Sequence, residues 1–471
     1  MSNQKKYDTL RKTYPTFVYD SYKYNVQPDG LHIMFSFRMG DHIFQPTSIF
    51  PARTFLHFDQ PREVMDTLVF NIGLVELVSY WKCACPPRVE VRCGTLDEDQ
   101  VDFWKKLYWH GLGEFFYVNG IDATQDDFFS FVNENDDSTG SSQVHNSQLK
   151  QSSNQAIKQS TLNYLVPIGG GKDSVVTLEL LKNAGMGKVI PLIMNPRGAT
   201  IGCIEAAGFT MDDVLVIRRT IDPHLLELNA AGFLNGHTPF SAMLAFYTLL
   251  AAQLSGIPNI ALSNENSANE STVVGTSVNH QYSKSLEFET DFRNYVQSLS
   301  TLDSRLSTLN YFSFLRPLSE LQIAMLFSRF EKYHPVFRSC NVGSKQDIWC
   351  GHCAKCLFAY IILSPFLSPE QLTAIFGRNL LDDTSLRLEF DQLRGVAATK
   401  PFECVGTVDE VNAALAMALQ RWYTNTPKPA LLADWQPATT LNSQFSILNS
   451  NHNLSPKELE ILKTYVQRAS V

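Results

Sequence analysis

Long hydrophobic runs are missing from this 471-residue chain, and the longest uninterrupted one, Leu357 to Leu363, is far too short to span a bilayer. The opening residues, Met-Ser-Asn-Gln-Lys-Lys-Tyr, lack the apolar centre of a secretory signal. Both absences point to a cytoplasmic protein with no membrane partner. A basic excess is missing too. Lys and Arg number 39 against 47 Asp and Glu, a formal net charge of −8, which argues against nucleic acid as the main partner. No internal repeat occurs. A hydrophobic share of 44% with 18% charged residues is ordinary for a globular chain, and the length suffices for two or three domains. In the cytosol the nine cysteines read as thiols or metal ligands rather than disulfides.

What is present centres on Leu165-Val-Pro-Ile-Gly-Gly-Gly-Lys-Asp-Ser174. Gly169, Gly170 and Gly171 follow a short apolar run and precede a helical pattern from Val175, so they sit where a strand turns into a helix. Glycine lets backbone N–H groups approach a phosphate, and the helix N-terminus adds favourable partial charge. Lys172 supplies a positive charge and Ser174 a hydroxyl. Asp173 after Lys172 excludes a Walker A loop, which needs Ser or Thr there. The order resembles the pyrophosphatase loop of the PP-loop ATP-pyrophosphatase superfamily, with Gly169 in place of the usual Ser. That resemblance implies that ATP is split to AMP and pyrophosphate, with Asp173 acting on the phosphates through magnesium.

Residues 1–132 alternate as strands at Leu31–Phe37 and Asp41–Phe50, then turn helical at Pro61–Tyr80 and Asp97–Tyr117, the pattern of an α+β domain. Cys83, Cys85 and Cys93 lack metal spacing and read as incidental thiols. Residues 133–161 are a polar linker rich in Ser, Gln and Asn. From 162 to 400 strands and helices alternate as in doubly wound parallel α/β folds. Capping boxes at Thr407–Glu410 and Ser455–Glu458 predict further helices in a C-terminal region, 401–471.

Ligands of such sheets bind beyond the carboxyl ends of the strands, which brings Asn195, Arg218, Arg219, Asn264 and Glu265 toward the glycine turn. His237 precedes a helix from about Pro239 to Leu254, with Thr238 as its N-cap. The dipole there favours a neutral imidazole, an acceptor for protons, though a purely structural histidine fits as well. His280 lies in the polar loop Val278–Ser285, where the charge of Lys284 also favours a neutral ring. Cys350-Gly-His-Cys353-Ala-Lys-Cys356, with Cys340 upstream, sets four thiolates at spacings that suit structural zinc. An iron–sulfur cluster fits the same ligands, and His352 could replace one sulfur.

With these motifs the match narrows. Asn235-Gly-His-Thr-Pro239, Ser263-Asn-Glu-Asn-Ser-Ala268, Val278-Asn-His-Gln-Tyr-Ser-Lys284, Leu315-Arg-Pro-Leu-Ser-Glu-Leu321, Phe376-Gly-Arg-Asn379 and Lys400-Pro-Phe-Glu-Cys-Val-Gly406 accompany the glycine turn and the cysteines, and Gly111-Leu-Gly-Glu-Phe115 the first domain. Over roughly residues 20–425 the chain resembles the UDP-N-acetylmuramoyl-L-alanyl-L-glutamate epimerase family, departing at Ala354 where Pro is expected. The resemblance implies an adenine nucleotide alpha-hydrolase-like fold and an isomerase of peptidoglycan synthesis. It also implies ATP and Mg2+ as cofactors, and the UDP-muramoyl dipeptide as small-molecule substrate. Adenylating a carboxylate would make its α-proton removable near neutral pH. His237, Glu265, His280, Glu403 and Cys404 are then candidates for moving that proton, and Lys284, Arg316 and Arg378 for holding the substrate. For Arg378 a helix-end role is an equal alternative. Competing expectations are a deazaguanine nitrile synthase, which captures the adenylate with ammonia, a tRNA thiolase, and a non-catalytic nucleotide sensor. Oligomeric state is left open.

Overall fold

The computed structural model describes residues 2–133, 162–273, 275–300, 306–397, 399–437 and 451–470. The expected linker therefore lies, from 134 onward, outside the described residues.

The expected alternation is plain in β2 (Gly30–Met39), where Ile33, Phe35, Phe37 and Met39 are buried and the residues between them are half-exposed. It pairs antiparallel with β1 (Thr16–Gln27), whose own alternation is broken by a register shift between Tyr19 and Ser21. The single segment expected over Asp41–Phe50 divides at Pro46, which cannot donate to a ladder, into β3 (His42–Phe44) and β4 (Thr47–Pro51). Both flank β2. β5 (Arg88–Val91) and β6 (Ser130–Asn133) extend the β1 side in parallel.

The helix Arg62–Trp81 packs on these strands and on the helix Phe240–Ser255. Among the described residues it is the one helix long and apolar enough to cross a membrane by composition, at mean hydropathy 1.3. The run Leu357–Leu363 is thus not the most membrane-like segment. Burial explains the apolarity of Arg62–Trp81, since 89% of its apolar window lies inside the protein.

The second half supplies five parallel strands, β7 (Tyr164–Pro167), β8 (Val189–Met194), β9 (Leu215–Arg219), β10 (Asn259–Leu262) and β11 (Asn310–Ser313), in the order β11-β10-β7-β8-β9. The halves are not separate. β9 pairs antiparallel with β4, Ser48 opposite Arg219 and Ile49 opposite Arg218, so one mixed sheet runs from β11 to β6. One apolar core likewise takes Phe17 and Trp81 from the first half with Phe246 and Tyr295 from the second. A second core lies under the helices Lys172–Ala184, Glu320–Ser328, Ala354–Leu363 and Val408–Trp422. Both expected capping boxes close, Glu410 N donating to Thr407 Oγ1 at 3.2 Å and Ser455 N to Glu458 Oε2 at 2.7 Å. The final helix, Pro456–Ser470, packs back on Lys172–Ala184 and Glu320–Ser328.

Chain order sends β7 to β8 on one side and later to β10 on the other. The sheet therefore has its topological switch point between β7 and β10, and the crevice for a ligand opens beyond their carboxyl ends.

Candidate active site

β7 ends at Pro167, and the glycine turn leads into the helix Lys172–Ala184 with Gly171 as N-cap. Gly170 adopts φ +85°, and a Cβ there would come within 3.1 Å of the Ala199 Cβ, so a side chain is excluded twice over. Gly169 differs: nothing lies within 4 Å of an added Cβ. A side chain as small as Ser would fit there, so no steric reason calls for glycine at this position. Gly171 has no side chain to cap the helix, so the turn presents backbone donors and dipole to the crevice.

That crevice has a volume of about 440 Å³. Gly169, Gly171, Asp173 and Ser174 line one part of it, Asn195, Arg197 and Asn264 another, and Lys284, Lys355 and Cys404 a third. A larger hollow of about 1100 Å³ opens on the N-terminal strands around Tyr22, Tyr24 and Arg62 and contains none of the expected site residues.

Lys172 is buried between the carboxylates of Asp173 and Glu320. Burial opposes its charge, yet the two carboxylates outweigh that and hold its pKa above the ordinary lysine value. Burial also pushes Glu320 above the ordinary carboxylate range, with the Lys172 ammonium opposing and Asp173 adding to the rise. Ser174 Oγ turns back to donate to Gly171 O at 3.0 Å. Asn195 lines the crevice at φ +52°, and its amide is committed to the Arg219 backbone, donating to O and accepting from N at 2.8 Å each. Asn264 donates to Ser313 Oγ at 3.0 Å, and the buried Glu265 accepts from Ser267 Oγ at 3.1 Å.

Two expected substrate-binding arginines have other tasks. Arg316 is fully buried. Its guanidinium donates to Glu265 O at 2.7 Å, Lys284 O at 2.6 Å and Ser313 Oγ at 3.1 Å, and pairs with Glu289 at 3.2 Å. Burial keeps a ligand away, although Nε itself has no partner; Arg316 ties together the segments that carry Glu265 and Lys284. Arg378 lies over the cysteine loop, its Nη2 donating to Gly351 O at 2.9 Å and His352 Nδ1 at 3.1 Å and pairing with Asp383 at 2.6 Å. It does not line the crevice.

The histidines meet at a residue from the first half of the chain. Glu114, on the helix Gly113–Asn119, accepts from His280 Nδ1 and lies 3.2 Å from His237 Nδ1. The two imidazole centroids are 4.7 Å apart. His237 is neutral as expected, with its pKa lowered to about 4, but through burial and the neighbouring His280. Thr238 is not the N-cap of the following helix, which starts at Phe240 after Pro239; its hydroxyl accepts instead from the buried Lys82 Nζ at 2.5 Å. His280 reverses the expectation. Burial opposes its charge, but hydrogen bonds to Cys404 and Glu114 raise its pKa to about 9. Cys404 Sγ also accepts from Lys284 Nζ at 3.1 Å. Burial raises this thiol, and Lys284 and His280 overcome it, lowering the value to about 6. Glu403 accepts from Nδ2 of Asn341, which lines the crevice, and burial raises its pKa.

The four cysteine sulfurs come together, Cys340 to Cys353 at 3.8 Å, Cys350 to Cys356 at 3.7 Å and Cys353 to Cys356 at 3.5 Å. Zn–S bonds of about 2.3 Å at tetrahedral angles put sulfurs about 3.8 Å apart. The donors fit that ion, with Lys355 in the same knuckle donating to Cys404 O. Sequence reasoning gave no role to Glu114, Glu320, Lys82 or Lys355. Glu114, Glu320 and Lys355 stand inside motifs quoted above, but nothing in the sequence ties residue 114 to 280 or 320 to 172.

Ligands of open α/β sheets bind at such a switch point, and the reactive groups gathered there define the molecule as an α/β enzyme. Residues 8–314 match the MurL N-terminal domain and residues 336–441 the MurL C-terminal domain. A UDP-N-acetyl-alpha-D-muramoyl-L-alanyl-L-glutamate epimerase of Xanthomonas oryzae pv. oryzae is 33% identical over 420 residues, 86% of each chain. Proteins of the same name from a Micromonospora species and from Salinispora tropica are 36% and 34% identical, covering 78% and 77% of this chain and 78% and 75% of their own. The chain belongs to the MurL epimerase family.

Proposed function

We propose that this chain inverts the terminal L-glutamyl residue of UDP-N-acetylmuramoyl-L-alanyl-L-glutamate to D-glutamyl, in the cytoplasm, with ATP split to AMP and pyrophosphate on a PP-loop fold. The observation that carries the ATP-dependent part is the shared crevice: the glycine turn opens into the same space as Lys284 and Cys404. The names of the relatives supply the substrate and the reaction.

In this reading the N–H groups of the glycine turn and the N-terminus of the Lys172–Ala184 helix bind the phosphates. Lys172, fixed by Glu320, keeps Asp173 oriented toward the crevice. Magnesium usually takes one or two carboxylates and completes its shell with phosphate oxygens and water, so Asp173 alone fits it. ATP supplies the adenylate that turns the glutamyl carboxylate into a mixed anhydride. Removal of the α-proton then gives an enolate rather than a dianion, which lowers the barrier to inversion. The four cysteines would hold structural zinc and thereby fix the start of the helix Ala354–Leu363, which carries Lys355.

The test is incubation with ATP, Mg2+ and the UDP-muramoyl dipeptide, followed by AMP assay and chiral analysis of the released glutamate. Precursor-dependent AMP together with D-glutamate supports the reading. AMP without D-glutamate, or an ammonia-derived product, contradicts it.

A further inference from the structure

A proton acceptor for the α-carbon must lie in the crevice, be deprotonated there, and have a free lone pair. Asp173 lies in the crevice, but in the reading above its carboxylate, held by Lys172, is committed to magnesium. Glu403 is engaged by Asn341, and Glu265 is buried outside the crevice lining. His280 already carries its proton, held by Glu114. His237 is neutral but does not line the crevice.

Cys404 meets all three requirements. It is the one cysteine that lines the crevice. Three cations, Lys284, His280 and Lys355, surround its sulfur and outweigh the opposing charge of Glu403, whose carboxylate accepts from Asn341. Glu114 behind His280 completes an acid–imidazole–sulfur series, in which the carboxylate orients the ring and the ring stabilises sulfur charge. Burial of a lone thiol would favour the neutral form; here the partners reverse that, and the thiolate is the populated state.

Resting on the epimerase reading above, we propose that Cys404 is the catalytic residue that takes the α-proton from one face of the activated glutamyl residue, with Lys284 and His280 as its positioning residues. The Cα–H bond breaks and an S–H bond forms. The electron pair of the broken bond moves into the acyl carbonyl, giving the enolate. A proton from water makes the new Cα–H bond on the opposite face, Cys404 returns its proton to solvent, and water cleaves the anhydride to free carboxylate and AMP.

Cys404→Ser and Cys404→Ala are each run in deuterated water with ATP, Mg2+ and precursor. Both are expected to release AMP within about threefold of the unaltered protein while losing α-deuterium incorporation by about a hundredfold or more, the range of a lost general base. Two outcomes overturn the proposal: exchange that persists in both variants, and exchange that falls only in step with AMP release. A covalent precursor–Cys404 thioester trapped by mass spectrometry would overturn it as well, since the sulfur would then be a nucleophile. If the unaltered protein shows neither AMP nor exchange, the epimerase reading itself fails. His280→Gln separates positioning from mere structure: the acid limb of the exchange–pH profile should move to higher pH, and an unmoved limb counts against the assignment.

Discussion

Arg219, at the end of β9, grips the fully buried carboxylate of Glu76 from the helix Arg62–Trp81, with Nη2 to Oε2 at 2.6 Å. Tyr247 OH donates to the same carboxylate at 2.8 Å and hydrogen-bonds Ser48 of β4. This network lies at the β4–β9 seam where the two halves of the sheet join. Arg219→Met should strand the Glu76 charge and cost about 3–5 kcal/mol. Equilibrium unfolding in urea measures this, and an unchanged midpoint would contradict the role given to the pair.

Lys172→Ala, the obvious test of the glycine loop, is compromised by the geometry. The ammonium lies between the buried Glu320 carboxylate and the half-buried one of Asp173, so its loss should destabilise the fold by about 3–5 kcal/mol as well as stop AMP release. Lys172→Met with Glu320→Gln should recover most of that stability and still release no AMP. A folded double variant with normal AMP release would remove Lys172 from the reaction.

The cysteine cluster should carry about one zinc per chain by elemental analysis. Arg378→Lys, losing its planar fork over Gly351 O, His352 and Asp383, should release zinc faster to a chelator and leave the KM for precursor unchanged. A raised KM with unchanged zinc retention would return Arg378 to the substrate.

Exchange at the α-carbon should be bell-shaped in pH. Cys404 must be deprotonated, so activity rises through about 6; the cationic His280 must stay protonated, so activity falls again through about 9. The plateau lies between. A profile that keeps falling from pH 6 upward would contradict the sulfur–imidazolium pair.

Local features were legible in the sequence. The period of two in β2, the glycine turn, both capping boxes and the cysteine spacing are set by neighbours within a few residues. The missed features are those whose cause is distant. β1 escaped because its bulge at Tyr19 and Ser21 spoils the alternation, and the union of the halves because edge pairing of β4 with β9 leaves no mark in either segment. Arg316 reads like a ligand arginine from its motif, but Glu265, Lys284, Glu289 and Ser313 converge on it. His280 was expected neutral from Lys284 alone, whereas Glu114, 166 residues away in sequence, and Cys404 decide its charge. The dipole argument for His237 reached the right protonation state through the wrong cause.

The most direct test of the account is mass and chiral analysis of the glutamyl product formed in deuterated water with ATP and Mg2+. The account predicts D-glutamate carrying one solvent deuterium at its α-carbon, formed only while AMP accumulates. D-Glutamate without deuterium, or formed with ATP withheld, would contradict it.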